Sequence, residues 1–314
     1  MITFGPVPSR RLGKSLGINN IASPKVCSYA CIYCQAGKTF RKTLERESFF
    51  KPETVYRSVG EHLSNLSEND RPDYLTFVSN GEPTLDINLE ESVKLVRSFG
   101  IPVAVITNGS LLSDPQVREA LSAADWVSVK TDAGNPLIWG KINKPTEEVC
   151  FEEHLKGVFT FATAYSGTLC TETMLIKGIN DDRKTIEEIA GIIKSIHPFR
   201  AYISIPTRPA SEPSVRPAGP EELTCAWNIF TSSGISSELL TGFEGTDAGS
   251  SGNIYEDILS ISAVHPLRED TLSVMLGKSG ADFSVVESLL KQNLLRRTIY
   301  KGKKFYLREY HLNH

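Results

Sequence analysis

Short β-rich apolar runs alternate with stretches of helical period over roughly the first 245 residues. YLTFVSN (74–80), IPVAVITNG (101–109), DWVSVKTDAG (125–134), TLCTETMLIKGIND (168–181) and AYISIPT (201–207) are runs that close on turn residues. Between them VYRSVGEHLSNL (55–66), LEESVKLVRSFG (89–100), PQVREALSAA (115–124), FEEHLKGVFTFAT (151–163) and TIEEIAGIIKSI (185–196) carry apolar residues three and four apart. Such alternation predicts βαβ units around a parallel sheet. KSLGINN (14–20) is a less marked first strand, giving about six in all.

The pattern changes after GTDAGSSGN (245–253), whose glycines and serines predict a flexible connector. Three helical segments follow, IYEDILSIS (254–262), REDTLSVML (268–276) and FSVVESLLKQN (283–293). LRRTIYKGKKFYLREY (295–310) then alternates around a Lys-Gly-Lys turn, a hairpin signal. The expected division is a core over 1–245, a linker over 246–253 and a small winged-helix-like domain over 254–314. The end of this second unit carries Lys291, Arg296, Arg297, Lys301, Lys303, Lys304 and Arg308, interleaved with Tyr300, Phe305 and Tyr306. That mixture favours nucleic acid, while a wing that binds protein or is purely structural stays open.

Composition narrows the class. With 314 residues, 40% apolar and 23% charged, the chain can bury a real core and is not a disordered segment. A net charge of -3 gives no whole-chain case for a nucleic-acid binder. No run approaches a membrane span, and MITFGPVPSRR lacks the apolar core of a signal peptide, so a cytoplasmic protein is expected.

Six cysteines carry the sharpest chemistry. Cys27, Cys31 and Cys34 fall in VCSYACIYC, whereas Cys150, Cys170 and Cys225 are scattered and are expected to be ordinary buried thiols. A disulfide scaffold would be short and paired. Three thiolates on one loop suit an iron–sulfur cluster with one iron left open; a three-cysteine zinc site completed by a distant His is the competing reading. Other chemistry-bearing residues follow predicted strands: Asn80-Gly81-Glu82-Pro83, Thr107-Asn108-Gly109, and Lys130 with Asp132. Each of these can also be read as an ordinary turn or solvated loop. Glu172 alternates with Cys170 and Met174 on the inward face of its strand, where an ionisable group is costly unless paired, so it is a candidate for substrate or cofactor contact. Arg10 and Arg11 lie just before the cysteine loop and could recognise phosphate or carboxylate.

The CxxxCxxC spacing, with Tyr33 before the third cysteine, resembles the radical S-adenosylmethionine (radical SAM) superfamily. The resemblance implies a partial (β/α)6 TIM-like barrel, with Cys27, Cys31 and Cys34 holding a [4Fe-4S] cluster and SAM on the open iron. SNGEP is similar to the family's GGE-type motif, which receives the SAM amino group. Asn80 replaces its first glycine, a mild departure because Asn tolerates left-handed backbone. On the same resemblance Gly81 and Glu82 face the SAM ammonium, Thr107 and Asn108 form a SAM-facing edge, and Lys130 and Asp132 bind the SAM carboxylate and ribose. The opening GPVPSRR, the cysteine loop and SNGEPTL look like the branch loosely grouped with wyosine-tRNA synthases, without those enzymes' substrate-specific parts.

The implied activity is reductive cleavage of SAM to a 5′-deoxyadenosyl radical that takes hydrogen from a substrate. That substrate could be RNA or a protein or peptide held by 254–314. Flavodoxin or ferredoxin would be the one-electron donor. A non-catalytic iron–sulfur redox sensor binding DNA through the winged helix is the alternative, although a sensor has no need of SAM-facing motifs.

Overall fold

The computed structural model describes residues 2–309. β1 (Thr3–Ser9) and β2 (Gly13–Ile18) form an antiparallel hairpin. β3 (Val26–Cys27) and β4 (Arg41–Lys42) pair in parallel and bracket the cysteine loop. Then come α1 (Pro52–Asn65), β5 (Tyr74–Phe77), α2 (Leu89–Arg97), β6 (Val103–Thr107), α3 (Pro115–Ser122), β7 (Trp126–Lys130), α4 (Pro136–Asn143) and α5 (Phe151–Ala164). β8 (Thr168–Met174), α6 (Arg183–Ile196), β9 (Arg200–Ser204), α7 (Pro220–Ser232) and β10 (Ser237–Leu240) complete this part.

The sheet runs β1-β2-β5-β6-β7-β8-β9-β10, and every neighbouring pair from β2 onward is parallel. It curls as a partial TIM-like barrel does, with helices outside. About six strands were expected; seven are parallel and β1 adds an antiparallel edge. β1 hides its character because it carries Pro6 and Pro8, which an edge strand tolerates. β10 is short and half polar. Helix starts follow local chemistry: Asp114, Asn135 and Asp182 cap α3, α4 and α6 through backbone N–H groups of Gln116, Ile138 and Thr185.

Two apolar layers hold the barrel. Between sheet and helices lie Leu75, Phe77, Val103, Val105, Val93 and Val127, all fully buried. Inside, Leu12, Ala104, Trp126, Cys170, Tyr202 and Leu240 close the barrel floor. Polar groups therefore collect above that floor, at the C-terminal strand ends.

His154 on α5 pins one such end. Its Nδ1 donates to the Gly109 carbonyl at 3.1 Å, and its ring stacks on Trp139 and meets Tyr29 of the cysteine loop edge-on. Burial pushes its pKa down to about 4, the Gly109 carbonyl only partly opposing this. The folded pKa lies below the unfolded value, so the neutral ring's stability is whole above about pH 6.5 and lost as pH falls toward 4. The loss is on the order of 3 kcal/mol. Urea titrations at pH 7 and pH 4.5 should show it, and His154→Gln should flatten the acid slope. An unchanged slope in that variant would assign the acid loss to other groups.

The last part comprises α8 (Ile254–Val264), β11 (Leu267–Arg268), α9 (Glu269–Ser279), α10 (Ser284–Lys291), β12 (Leu295–Tyr300) and β13 (Lys303–Arg308), with sheet order β11-β13-β12. The three helices and the hairpin lie where expected; residues 310–314 of the expected unit are outside the described residues.

The connector is fastened rather than free. Ala248 is buried, Gly249 N–H donates to the Pro6 carbonyl at 2.7 Å, and Ser250 and Ser251 bond Asp257 of α8. Phe4 and Val7 of β1 share one core with Ile258, Ile261, Leu272, Leu289 and Tyr306. The aromatic part of the nucleic-acid expectation also changes. Tyr306 points into that core, its Oη donating to Glu269 at 2.7 Å, and Phe305, also buried, meets Tyr300 edge-on, so neither offers an open stacking face. Tyr306 shares its strand face with Lys304, and both reach Glu269. Cys170 is buried as expected, but Cys150 is exposed and Cys225 half-buried, since both sit on helix margins rather than in the sheet. Among the described residues no helix is long and apolar enough to cross a membrane.

Candidate functional site

The cysteine loop leaves β3 at Cys27 and crosses the C-terminal mouth of the barrel. Ala30 and Ile32 N–H groups donate to the Asn143 and Ile142 carbonyls of α4, and Tyr29 packs edge-on against Trp139 at 5.7 Å. Each thiol receives one side-chain N–H. Lys25 Nζ lies 2.9 Å from Cys34 Sγ, Asn143 Nδ2 3.5 Å from Cys31 Sγ, and Asn108 Nδ2 3.7 Å from Cys27 Sγ.

Burial pushes the Cys27 thiol up to about 12 and raises Cys31 further. Burial also acts to raise Cys34, but the Lys25 charge and hydrogen bond outweigh it and hold that thiol below its ordinary value. Three sulfurs in mutual electrostatic contact, each met by a donor, are ready to become thiolates once a cationic iron core compensates them. Among the described residues no three His, Cys, Asp or Glu side chains converge as the ligands of one ion must. A cubane is different, because it takes each thiolate at a separate iron. The donor set therefore fits a cluster, and among the described residues no His stands with these cysteines to close a zinc site.

The strand-end motifs divide into two groups. Glu82 is buried, and its carboxylate is taken up within the protein. Oε1 accepts from Thr84 N–H, Thr84 Oγ1 and Thr107 Oγ1, and Oε2 accepts from Asn108 N–H at 2.8 Å. Burial raises its pKa despite these bonds. Glu82 with Thr107 and Asn108 thus braces the ends of β5 and β6, and Asn108 carries the brace to Cys27. Gly81 is required here: its φ is +148°, and a Cβ would stand 1.8 Å from the Val26 carbonyl oxygen. Asn80 has no positive φ, so the left-handed tolerance that its replacement of glycine suggested is not used. Its N–H donates to Asn19 Oδ1 at 2.9 Å. Asp132 is likewise engaged, accepting from Tyr33 Oη at 2.5 Å, Asn143 Nδ2 at 2.8 Å and Met174 N–H at 2.8 Å. Asp132 and Tyr33 therefore tie the cysteine loop to β7 and α4.

The second group faces a cavity of about 280 Å³ over the barrel floor. Cys34, Tyr33, Lys130, Glu172, Met174, Arg10 and Arg11 line it. Glu172 lies between two cations: Lys130 Nζ at 2.8 Å and the Arg11 guanidinium, with Ser204 Oγ donating at 3.0 Å. Lys130 also lies over the Tyr33 ring, 5.4 Å from its centroid. Burial pulls the Lys130 pKa down to about 8. Sequence reasoning singled out Lys130, Glu172 and Cys34 for this place, and brought Gly81, Glu82 and Asp132 to its margin. It missed Lys25 and Asn143, lone polar residues outside any motif.

The profile of the radical SAM superfamily matches residues 21–190. The UPF0026 protein MJ1312 of Methanocaldococcus jannaschii is 42% identical over 98% of this chain and 96% of its own length. A UPF0026 protein of Helicobacter pylori strain J99 is 37% identical over 72% of each chain. Among solved structures, SuiB of Streptococcus suis shares the fold at a TM-score of 0.55 and 11% identity, covering 72% of this chain and 49% of that one.

Proposed function

Because this chain belongs to the radical SAM superfamily, we propose that it is an enzyme that binds a [4Fe-4S] cluster through Cys27, Cys31 and Cys34 and uses SAM to act on a substrate entering from the C-terminal side. One observation carries the reading: three donor-supported sulfurs of a single loop sit at the strand-end mouth, with Cys34 opening onto a cavity lined by Lys130 and Glu172. When reduced, such a cluster supplies an electron that cleaves the SAM sulfonium to methionine and a 5′-deoxyadenosyl radical, which takes hydrogen from the substrate.

The protein's part is to bind, orient and exclude. Lys25, Asn108 and Asn143 present N–H groups to the sulfurs, which raises the potential of a bound cluster. Lys130, charged below about pH 8, would hold the SAM carboxylate by a charge-assisted bond, with Glu172 and Arg11 fixing its position. The braces through Glu82 and Asp132 keep loop and strand ends in register, and the apolar floor below keeps water out of the barrel. A one-electron donor such as flavodoxin or ferredoxin would approach by the half-buried loop 35–37.

Residues 254–309 fit a winged helix: helix, short strand, two helices, two-stranded wing. A second cavity of about 190 Å³ lies between the wing and the barrel, lined by Tyr300, Lys301 and Lys303 on one side and Val7, Pro8 and Arg208 on the other. The wing would present a macromolecular substrate to that opening. A DNA-binding redox sensor would have no use for cations buried inside the barrel.

Anaerobic reconstitution followed by reduction in the presence of SAM should release 5′-deoxyadenosine. Lys130→Met should weaken SAM binding on the order of tenfold or more, the loss of one charge-assisted bond. Iron content should not change. Cluster-loaded protein that neither binds nor cleaves SAM would leave only the sensor reading.

A further inference from the structure

The inner cavity holds more positive charge than it neutralises. Arg10, Arg11, Lys130 and Arg208 line it against two carboxylates, Glu172 and Glu244. Each carboxylate sits between two of the cations. Glu172 serves Arg11 and Lys130. Glu244 pairs with Arg208, and its Oε2 lies 3.9 Å from Arg10 Nε. His265 adds no further charge: its Nε2 accepts from Arg208 Nη2 at 2.5 Å, and burial with the neighbouring arginine charges keeps the ring neutral. With that nitrogen already accepting, it cannot donate to Glu244 Oε1 3.2 Å away. Glu244 therefore receives no hydrogen bond from His265.

These groups stand where the two cavities meet. Arg208, Glu244 and His265 line both of them. Arg208 Nη1 also donates to Gln35 Oε1 at 3.3 Å, beside Cys34, and Gln35 Nε2 donates to the Val264 carbonyl at 3.3 Å. Burial first, then the neighbouring Arg10, Arg268 and Arg11 charges, holds the Arg208 pKa down to about 9, although Glu244 is paired with it. Loading the site would leave this surplus in place, because the net negative charge of a three-thiolate cluster and the net positive charge of SAM would offset each other. An uncompensated buried charge is expensive, so a site built this way favours an anionic guest.

We propose that Arg208 and Arg10 form a phosphate-binding site at the junction of the two cavities, with Glu244 as an internal counter-ion that a phosphate-bearing substrate displaces. Two guanidiniums give a phosphate the planar, multi-donor contacts it prefers. The site rests on the radical SAM reading for its catalytic use, but its chemistry can be tested without turnover. A mononucleotide and an RNA strand would both present that group.

Isothermal titration of the full chain, as purified and after reconstitution, tests it with inorganic phosphate, uridine 5′-monophosphate and a ten-residue single-stranded RNA. Phosphate should bind, Arg208→Gln should weaken it at least tenfold, and Glu244→Gln should tighten it several-fold. The second variant gains binding and so cannot be explained by misfolding. Tighter binding of the mononucleotide than of the RNA makes the substrate a small nucleotide, and the reverse makes it a strand; either supports the site. No heat with any of the three probes, or Glu244→Gln binding no more tightly than the native chain, overturns it. Because the readout is binding, it can fail while SAM cleavage stands, and SAM cleavage can fail while phosphate still binds.

Discussion

Alanine at Cys27, Cys31 or Cys34 should take the reconstituted protein from about four irons per chain to nearly none, because a three-thiolate cubane has no spare ligand. Deoxyadenosine release should vanish with the iron. Cys225→Ala is the control: that thiol sits on α7, outside the loop, and its loss should change neither value. Lys25→Met tests the donor beside Cys34. It should retain iron but lower the reduction potential, since it removes a charge and an N–H from one sulfur. Iron and sulfide analysis with redox titration reads all of these, and full iron content in a Cys27/Cys31/Cys34 triple variant would sink the assignment.

The next largest effect is expected at Glu82. Four donors converge on its carboxylate from two strand ends. Glu82→Ala orphans Thr84, Thr107 and Asn108 in a buried place, a loss of about 3 kcal/mol or more. Asn108 also meets Cys27, so cluster retention should fall along with stability. Glu82→Gln keeps the shape, but its amide nitrogen must face a donor, so it should recover only part of the stability. Denaturant midpoints of the iron-loaded proteins give the comparison. Native stability with weakened SAM binding alone would make Glu82 a ligand contact rather than a brace.

This distinction marks the limit of what the sequence could yield. Period and turn residues placed β2 and β5 to β9, because an apolar run between helical stretches has few other uses. The same reasoning put Glu82, Lys130, Asp132 and Glu172 at the mouth. It could not tell which would face the cavity, because that depends on partners from other strands. Asp132 is absorbed by Tyr33 and Asn143, while Lys130, two residues earlier, faces the opening. α4, apolar on more than one side around a Gly, and the half-polar edge strand β10 show no clear period. The Arg10–Arg208–Glu244–His265 group draws on four distant segments, so no local motif announces it.

The shared core of β1 and the last helices bears on the order of synthesis. Phe4 and Val7 leave the ribosome about 250 residues or more before the side chains that join their core, from Ile258 to Tyr306. Until residues 254–309 are made, the first strand's apolar face lacks most of its native cover, and contacts so remote in sequence form slowly. The mouth of the barrel is uncovered for the same interval. That interval is when a preformed cluster could reach Cys27, Cys31 and Cys34 most readily, before the segment around Val264 and His265 closes over the approach.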